Sequence, residues 1–323
     1  MKNSVKKVLL ALIAVAICQV SLFSQSKFEK ETADAAKLEK KVFADWPKER
    51  GKNGKGYTVY YPALKQLPKK VALVSFAFHD PGYTKSSANS ISSVRTPDYN
   101  AEIIVNAYAG VAIEPLKNTF KEYGMELLTP DEFLNTDEKK KFYYDYVLDK
   151  RNKGDKGLSA LASGGTQVSI SLGAKGYREF VPKEEMIYTE DGTATKFNML
   201  ECKDPKMMEG LGYELCNALE VDAVVIVYNT CMTKNQREFN LMYVTMAMFG
   251  PNPIQLEEGE KDGALYRKGL YYGVFRIEIG TPTTDKKQPS VGCLTKGYDN
   301  IMIALSHRLG KWLTEETAEE DKR

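Results

Sequence analysis

The stretch Met207-Met208-Glu209-Gly210-Leu211-Gly212-Tyr213-Glu214-Leu215-Cys216-Asn217-Ala218-Leu219-Glu220-Val221-Asp222-Ala223-Val224-Val225-Ile226-Val227-Tyr228-Asn229-Thr230 decides the fold. Leu211, Leu215 and Leu219 recur every four residues, the spacing of one apolar stripe on a helix. The stripe stops at Glu220-Val221-Asp222. Ala223 to Tyr228 is then apolar without alternation and rich in β-branched residues. A strand apolar on both faces is covered on both faces, which places it at the centre of a layered sheet. The expected class is α/β: a three-layer sandwich with a mixed, mainly parallel central sheet flanked by helices, plus an inserted hairpin region.

Upstream, Val71 to Phe78 predicts the first core strand, ending at His79-Asp80-Pro81-Gly82. Ligand sites of open α/β sheets lie beyond the carboxyl ends of strands, so this loop is the best-placed candidate site. His79 beside Asp80 suits an oriented base or a metal ligand. The plainer reading is that Asp80-Pro81-Gly82 forms a turn and His79 closes the strand. It is preferred, because the chain has only two histidines and no motif accompanies this one.

A polar serine- and threonine-rich stretch follows, then helical content from Ala101 to Tyr123, with Ile113, Leu116 and Phe120 on one face. Pro115 predicts a kink or a second start. Gly124 suits a C-terminal cap. Met125 to Leu128 is a short strand. Thr129-Pro130-Asp131-Glu132 carries the hydroxyl, proline and carboxylate of a capped helix start, so its two acids belong to a helix end rather than to acid–base chemistry. A helix with Phe142, Tyr143, Tyr146 and Val147 follows. The insertion runs from about 151 to 200. In it Val168, Ile170 and Leu172 alternate with serines, predicting a surface hairpin too short for the roughly 9–11 residues of a membrane-spanning strand. Glu184-Glu185 reads as a solvated pair.

Beyond the central strand, Phe239 to Phe249 predicts a long strand with Met242, Val244, Met246 and Met248 on one face. The period of two marks this methionine row as core rather than metal box. Tyr271 to Ile279 is the next strand. Phe275, Ile277 and Ile279 face in, and Arg276 and Glu278 face water. Strands this close in sequence favour antiparallel pairing. A last helix opens at Asp299 with Ile301, Leu305, Leu309 and Trp312 inward and His307 exposed.

At the amino end, Lys2, Lys6 and Lys7 precede an apolar run from Val8 to Val20, and Ser24-Gln25-Ser26 supplies small residues. That is the pattern of a secretory signal cleaved before Lys27. Cys18 raises a lipoprotein alternative, but Ile17 is large where a small residue is needed. The expected divisions are 1–26 signal peptide, 27–68 charged segment, 69–314 α/β domain and 315–323 disordered tail. Loss of three lysines takes the net charge from +2 to about −1, which gives no electrostatic ground for nucleic acid or anionic membrane as partner. The glycine- and lysine-rich run Gly51 to Gly56 precedes strand-like residues, not the helix of a phosphate loop.

Four of the five cysteines remain after cleavage. Three connectivities are open. Cys202 precedes the central helix and Cys231 follows the central strand, which suggests Cys202–Cys231 as the pair. Cys216 reads as a small buried hydrophobe. No Cys-x-x-Cys spacing invites a metal, and no cofactor motif is present.

Three runs carry a family resemblance: Lys70 to Phe76, Tyr123 to Glu132, and Leu219 to Val225. They resemble the framework of envelope proteins of the curli-secretion (CsgG-like) and TolB amino-terminal type. The resemblance implies a compact periplasmic or outer-membrane-associated α/β domain acting through contacts with envelope proteins or with copies of itself. It has no catalytic motif to carry over. The competing class is a secreted hydrolase using His79 and Asp80, against which stands the lack of Gly-x-Ser-x-Gly and His-Glu-x-x-His.

Overall fold

A computed structural model describes residues 27–45, 48–50, 57–59, 67–87, 90–148, 169–181, 186–188, 194–197, 205–235, 238–252, 268–282 and 295–320. The expected signal segment, the Gly51–Gly56 loop, Val168, Glu184, Glu185, Cys202 and Cys293 lie outside them.

The chain opens with two short helices, α1 (Lys27–Glu31) and α2 (Ala35–Glu39), and strand β1 (Phe43–Asp45). A hairpin of β2 (Lys48–Arg50) and β3 (Tyr57–Val59) follows. Its antiparallel pairing means that residues 51–56 join two strands. Next come β4 (Lys70–Asp80), a second hairpin β5 (Tyr83–Ser87) and β6 (Ser90–Val94), and α3 (Asp98–Glu122). β7 (Glu126–Leu128), α4 (Pro130–Phe133), α5 (Asp137–Asp145) and β8 (Ile170–Gly173) complete the first half. The second half holds the hairpin β9 (Met186–Tyr188) and β10 (Ala194–Phe197), a helix here called α6 (205–219), β11 (Ala223–Asn235), β12 (Glu238–Pro251), β13 (Gly269–Pro282) and α7 (Tyr298–Glu320).

Among the described residues, seven strands form one mixed sheet in the order β1-β13-β12-β11-β4-β7, with β8 beside β4. Ala223 to Tyr228 is buried at its centre, as its composition requires. Ala223, Val225 and Val227 pack under α3 and α7, with Phe28 and Leu38 of α1 and α2. Val224, Ile226 and Tyr228 pack under α4, α5 and α6. The three layers are therefore present. The sheet is not mainly parallel, however. Only β4–β11 and β4–β7 run parallel; β11–β12, β12–β13, β13–β1 and β4–β8 are antiparallel. Two residues separate β11 from β12, and so short a connection can join only antiparallel neighbours.

Asp222 aligns the two parallel strands. Its Oδ2 accepts the backbone N–H groups of Lys69 and Lys70, each at 2.8 Å, so β4 and β11 start level. The capping box at Thr129 and Glu132 forms as expected, and Gly124 takes φ +76° to end α3.

Several expectations are corrected. The charged segment 27–68 is not separate from the domain, since β1 pairs with β13 and Phe28 and Leu38 enter the core. α3 runs unbroken through Pro115; burial of Tyr108, Ala112, Leu116 and Phe120 outweighs one missing hydrogen bond. Within the insertion, the strand that carries Ile170 and Leu172 is not part of a surface hairpin: β8 extends the main sheet against residues 77–80 of β4, and β9 and β10 form the inserted hairpin instead. Gly210–Leu215, in the middle of α6, is wound as a π-helix. A shift in register between Leu241 and Tyr243 puts Leu241 rather than Met242 into the core beside Val244. His307 is half-buried, with its Nδ1 and the Tyr123 hydroxyl oxygen 3.0 Å apart. α7 continues past Thr314 to Glu320.

The Cys202–Cys231 bridge is also corrected. Cys231 is a free, buried thiol. It belongs to the face under α3 and α7, and Cys202 lies outside the described residues. Cys216 is buried in α6, as a small hydrophobe.

Candidate functional site

His79 and Asp80 are the last two residues of β4, not part of a loop beyond it. Successive strand residues point to opposite faces, and the structure separates the pair accordingly. Asp80 turns toward α3. Its Oδ1 accepts the Gly82 N–H at 2.8 Å, and its Oδ2 accepts the Thr96 N–H at 2.8 Å and the Thr96 hydroxyl at 2.6 Å. The carboxylate is fully buried just before the first turn of α3, where the helix field favours a negative charge. It clamps the β5–β6 hairpin between β4 and α3, and it does not orient His79.

His79 turns to the opposite face and is 7% exposed. Burial lowers its pKa to about 4, against the weaker opposing pull of Asp80, so the ring is neutral at pH 7. Its Nδ1 lies 2.8 Å from Oγ of Ser171, directly across on β8. Ser171 itself is exposed.

The pairing register carries this row onward. His79 faces Thr230 on β11, Thr230 faces Tyr243 on β12, and Tyr243 faces Glu278 on β13. The next row inward is Ala77, Tyr228, Thr245 and Arg276. Arg276 was expected to face water, but it is 4% exposed. Both faces of this sheet are covered, so the residue between Phe275 and Ile277 enters a second interior rather than solvent. Its Nε–H donates to Thr245 Oγ1 at 2.8 Å, an Nη2–H reaches the Tyr228 hydroxyl at 3.3 Å, and the guanidinium lies 4.9 Å from the Tyr243 ring centroid. A cation over an aromatic face is attracted by the ring quadrupole.

Polar groups thus gather on one sheet face where the parallel pairing of β4 with β11 ends, the side on which open α/β sheets hold their ligands. Sequence reasoning placed His79 there but missed Ser171, Thr230, Tyr243, Thr245, Tyr228 and Arg276. A signal existed in part: the apolar run of β11 gives way to Tyr228-Asn229-Thr230 at its carboxyl end.

Among the described residues, no three His, Cys, Asp or Glu side chains are placed to hold a metal ion, and no helix is long and apolar enough to cross a membrane. The molecule is a mixed-sheet α/β protein with a polar band at the carboxyl edge of its parallel core. No protein-family model matches the sequence, and no curated protein matches it.

Proposed function

We propose that this is an exported protein of the cell envelope that acts by binding other envelope proteins or copies of itself, without catalysis. The amino-terminal pattern of lysines, apolar run and small residues supports export. The resemblance to CsgG-like and TolB amino-terminal envelope domains supports a role through protein contacts. The observation that carries the reading is the rim of the sheet. β1 pairs with only 274–276 of the fourteen-residue β13, and its first residue, Phe43, is 55% exposed. A short edge strand tipped with an exposed aromatic is a surface for strand addition or apolar docking. Replacing Phe43 with Glu leaves the core intact and removes that anchor. The mature chain is expected to self-associate, or to retain partners from native envelope extract, in a way that F43E abolishes. A wild-type chain that stays monomeric and retains nothing, or an F43E chain that behaves like wild type, ends the proposal.

A second reading, a secreted hydrolase, has one observation in its favour. The exposed Ser171 hydroxyl sits against the neutral imidazole of His79, the contact between nucleophile and base. Asp80, its expected third member, is engaged on the opposite face. Covalent labelling by a fluorophosphonate probe that Ser171→Ala and His79→Ala both abolish supports this reading; a wild-type chain that is not labelled removes it.

A further inference from the structure

We infer that β8 is an acid-released strap: protonation of His79 frees Ile170–Gly173 from the edge of β4 while the rest of the sheet stays folded. The geometry sets β8 apart from the chain that follows it. Among the described residues, β8 pairs only with β4, at residues 77–80. Ile170 is its one buried side chain; Leu172 is half-buried and Ser171 is exposed. Beyond β8 the chain turns at Gly176, with φ +86°, and returns beside β4, where Arg178 pairs with Ser75. That return is tied down. The Lys175 N–H donates to Asn106 Oδ1 of α3 at 2.7 Å. The Arg178 guanidinium donates to the Tyr143 and Tyr144 carbonyls at 2.8 and 2.7 Å. The Phe180 N–H donates to Ser75 Oγ at 3.0 Å, and its ring is buried with Tyr143 and Tyr146.

His79 is the trigger. Its imidazole is buried, with Nδ1 2.8 Å from Oγ of exposed Ser171, so β8 is the layer between the ring and water on that side. Burial holds the ring neutral, and a protonated ring needs a solvation that the closed site withholds. Lifting β8 supplies it while uncovering one buried isoleucine. Opening β11 would uncover a run buried on both faces, so the local event costs less. Charged neighbours do not stand in for water. Asp80, next in β4, is turned to the opposite face, and its pull on the ring is weaker than the effect of burial. β8 carries no charge, and β11 and β12 place Thr230 and Tyr243 in the same row. On β13, Arg276 is one row inward and Glu278 is exposed at the far end. Arg178 lies beside Glu179 on the return, and on α4 Asp131 is followed by Glu132, which pairs with Lys117. Release of β8 leaves residues 77–80 as an open edge, able to accept another strand.

The test is residue-resolved amide exchange of the mature chain at pH 6.5 and 4.5, each rate corrected for the unstructured rate at the same pH. The open state binds the proton and the closed state does not, so closure is weakened as pH falls from 6.5 toward 4. Protection of the β8 amides is expected to drop on the order of 40-fold between the two pH values. At both, it should be insensitive to low urea, as a local opening is. The Arg178 and Phe180 amides and those of 223–228 should exchange more slowly at each pH, the latter in a urea-dependent way because they open with the whole sheet. His79→Gln is expected to remove the drop in β8; His79→Asn replaces it should the glutamine variant fail to fold. The inference is overturned by constant β8 protection in wild type, or by β8 amides that exchange no faster than those of 223–228 and share their urea dependence. It is equally overturned by β8 amides no faster than Arg178 and Phe180, or by an unchanged drop in the glutamine or asparagine variant. None of these outcomes bears on Phe43 or the rim at β1.

Discussion

Two adjacent residues, His79 and Asp80, show how a strand can divide a pair that looks like one site. The imidazole is buried in neutral form, with its pKa lowered to about 4 from an ordinary 6.5. The unfolded chain therefore binds a proton between those values that the folded chain refuses, and stability falls as pH falls through that window. The full contribution is present above pH 6.5 and is lost by about pH 4, on the order of 3 kcal/mol. Urea midpoints measured from pH 7 to pH 4.5 are expected to decline, and His79→Gln should flatten the part of the decline that lies between pH 6.5 and 4.5. An equally steep decline in that variant would assign the effect elsewhere. Asp80 makes a different forecast. Asp80→Ala strands three donors, two of them on Thr96, in a buried place. Each such donor costs about 1–3 kcal/mol, so the loss should reach about 3 kcal/mol or more by chemical denaturation. Asp80→Asn keeps an acceptor and should cost less.

At the scale of elements, the fit of α6 on the sheet depends on glycines. A Cβ at Gly212 would lie 2.6 Å from the Gly250 carbonyl oxygen and 3.0 Å from that of Leu270. Backbone cannot move aside as a side chain can, so Gly212→Ala should lift the π-wound middle of α6 and cost about 1–3 kcal/mol, the range for overpacking. Gly110, in α3, has nothing within 4 Å of its would-be Cβ. Gly110→Ala should instead stabilise the chain by roughly 0.5–1 kcal/mol, the helix preference for alanine. Urea midpoints of the two variants should move in opposite directions. The elements themselves were legible where the pattern was local. Leu211, Leu215 and Leu219 announced a helix, Ala223 to Tyr228 announced a doubly covered strand, and Thr129 to Glu132 announced a cap. What stayed hidden depended on distant partners. The π-wound turn seats Gly212 against the backbone of Gly250 and Leu270, which no window around residue 212 contains. Ser171 meets His79 across 92 residues of chain. Arg276 alternates as a surface residue would, and only the second helical layer turns its outside into an interior.

At the scale of the whole molecule, the amino-terminal segment belongs to the core. Its charge pattern suggested an appendage before a domain starting at residue 69, because its apolar residues are few and widely spaced. Those few are well placed. Phe28 and Leu38 are buried beside α7 and β13, the Thr32 hydroxyl donates to the Phe28 carbonyl, and the Asn300 side-chain amide of α7 donates to the Thr32 carbonyl at 2.9 Å. Lys311 of α7 pairs with Glu39 of α2. β1 then completes the sheet along β13. A chain beginning at Lys69 loses all of this while keeping every other strand of the main sheet. Truncating a buried Phe costs about 3–5 kcal/mol and a buried Leu about 2–5 kcal/mol, and domains of this kind hold only about 5–15 kcal/mol in total. The shortened chain should therefore unfold at much lower urea than the chain from Lys27, or fail to fold, and its bared β13 edge should promote aggregation. The double variant Phe28→Ala/Leu38→Ala in the chain from Lys27 separates the two effects: it should lower the urea midpoint with β1 still in place to cover residues 274–276. A chain from Lys69 with an unchanged midpoint would return the first helices and β1 to the status of an appendage.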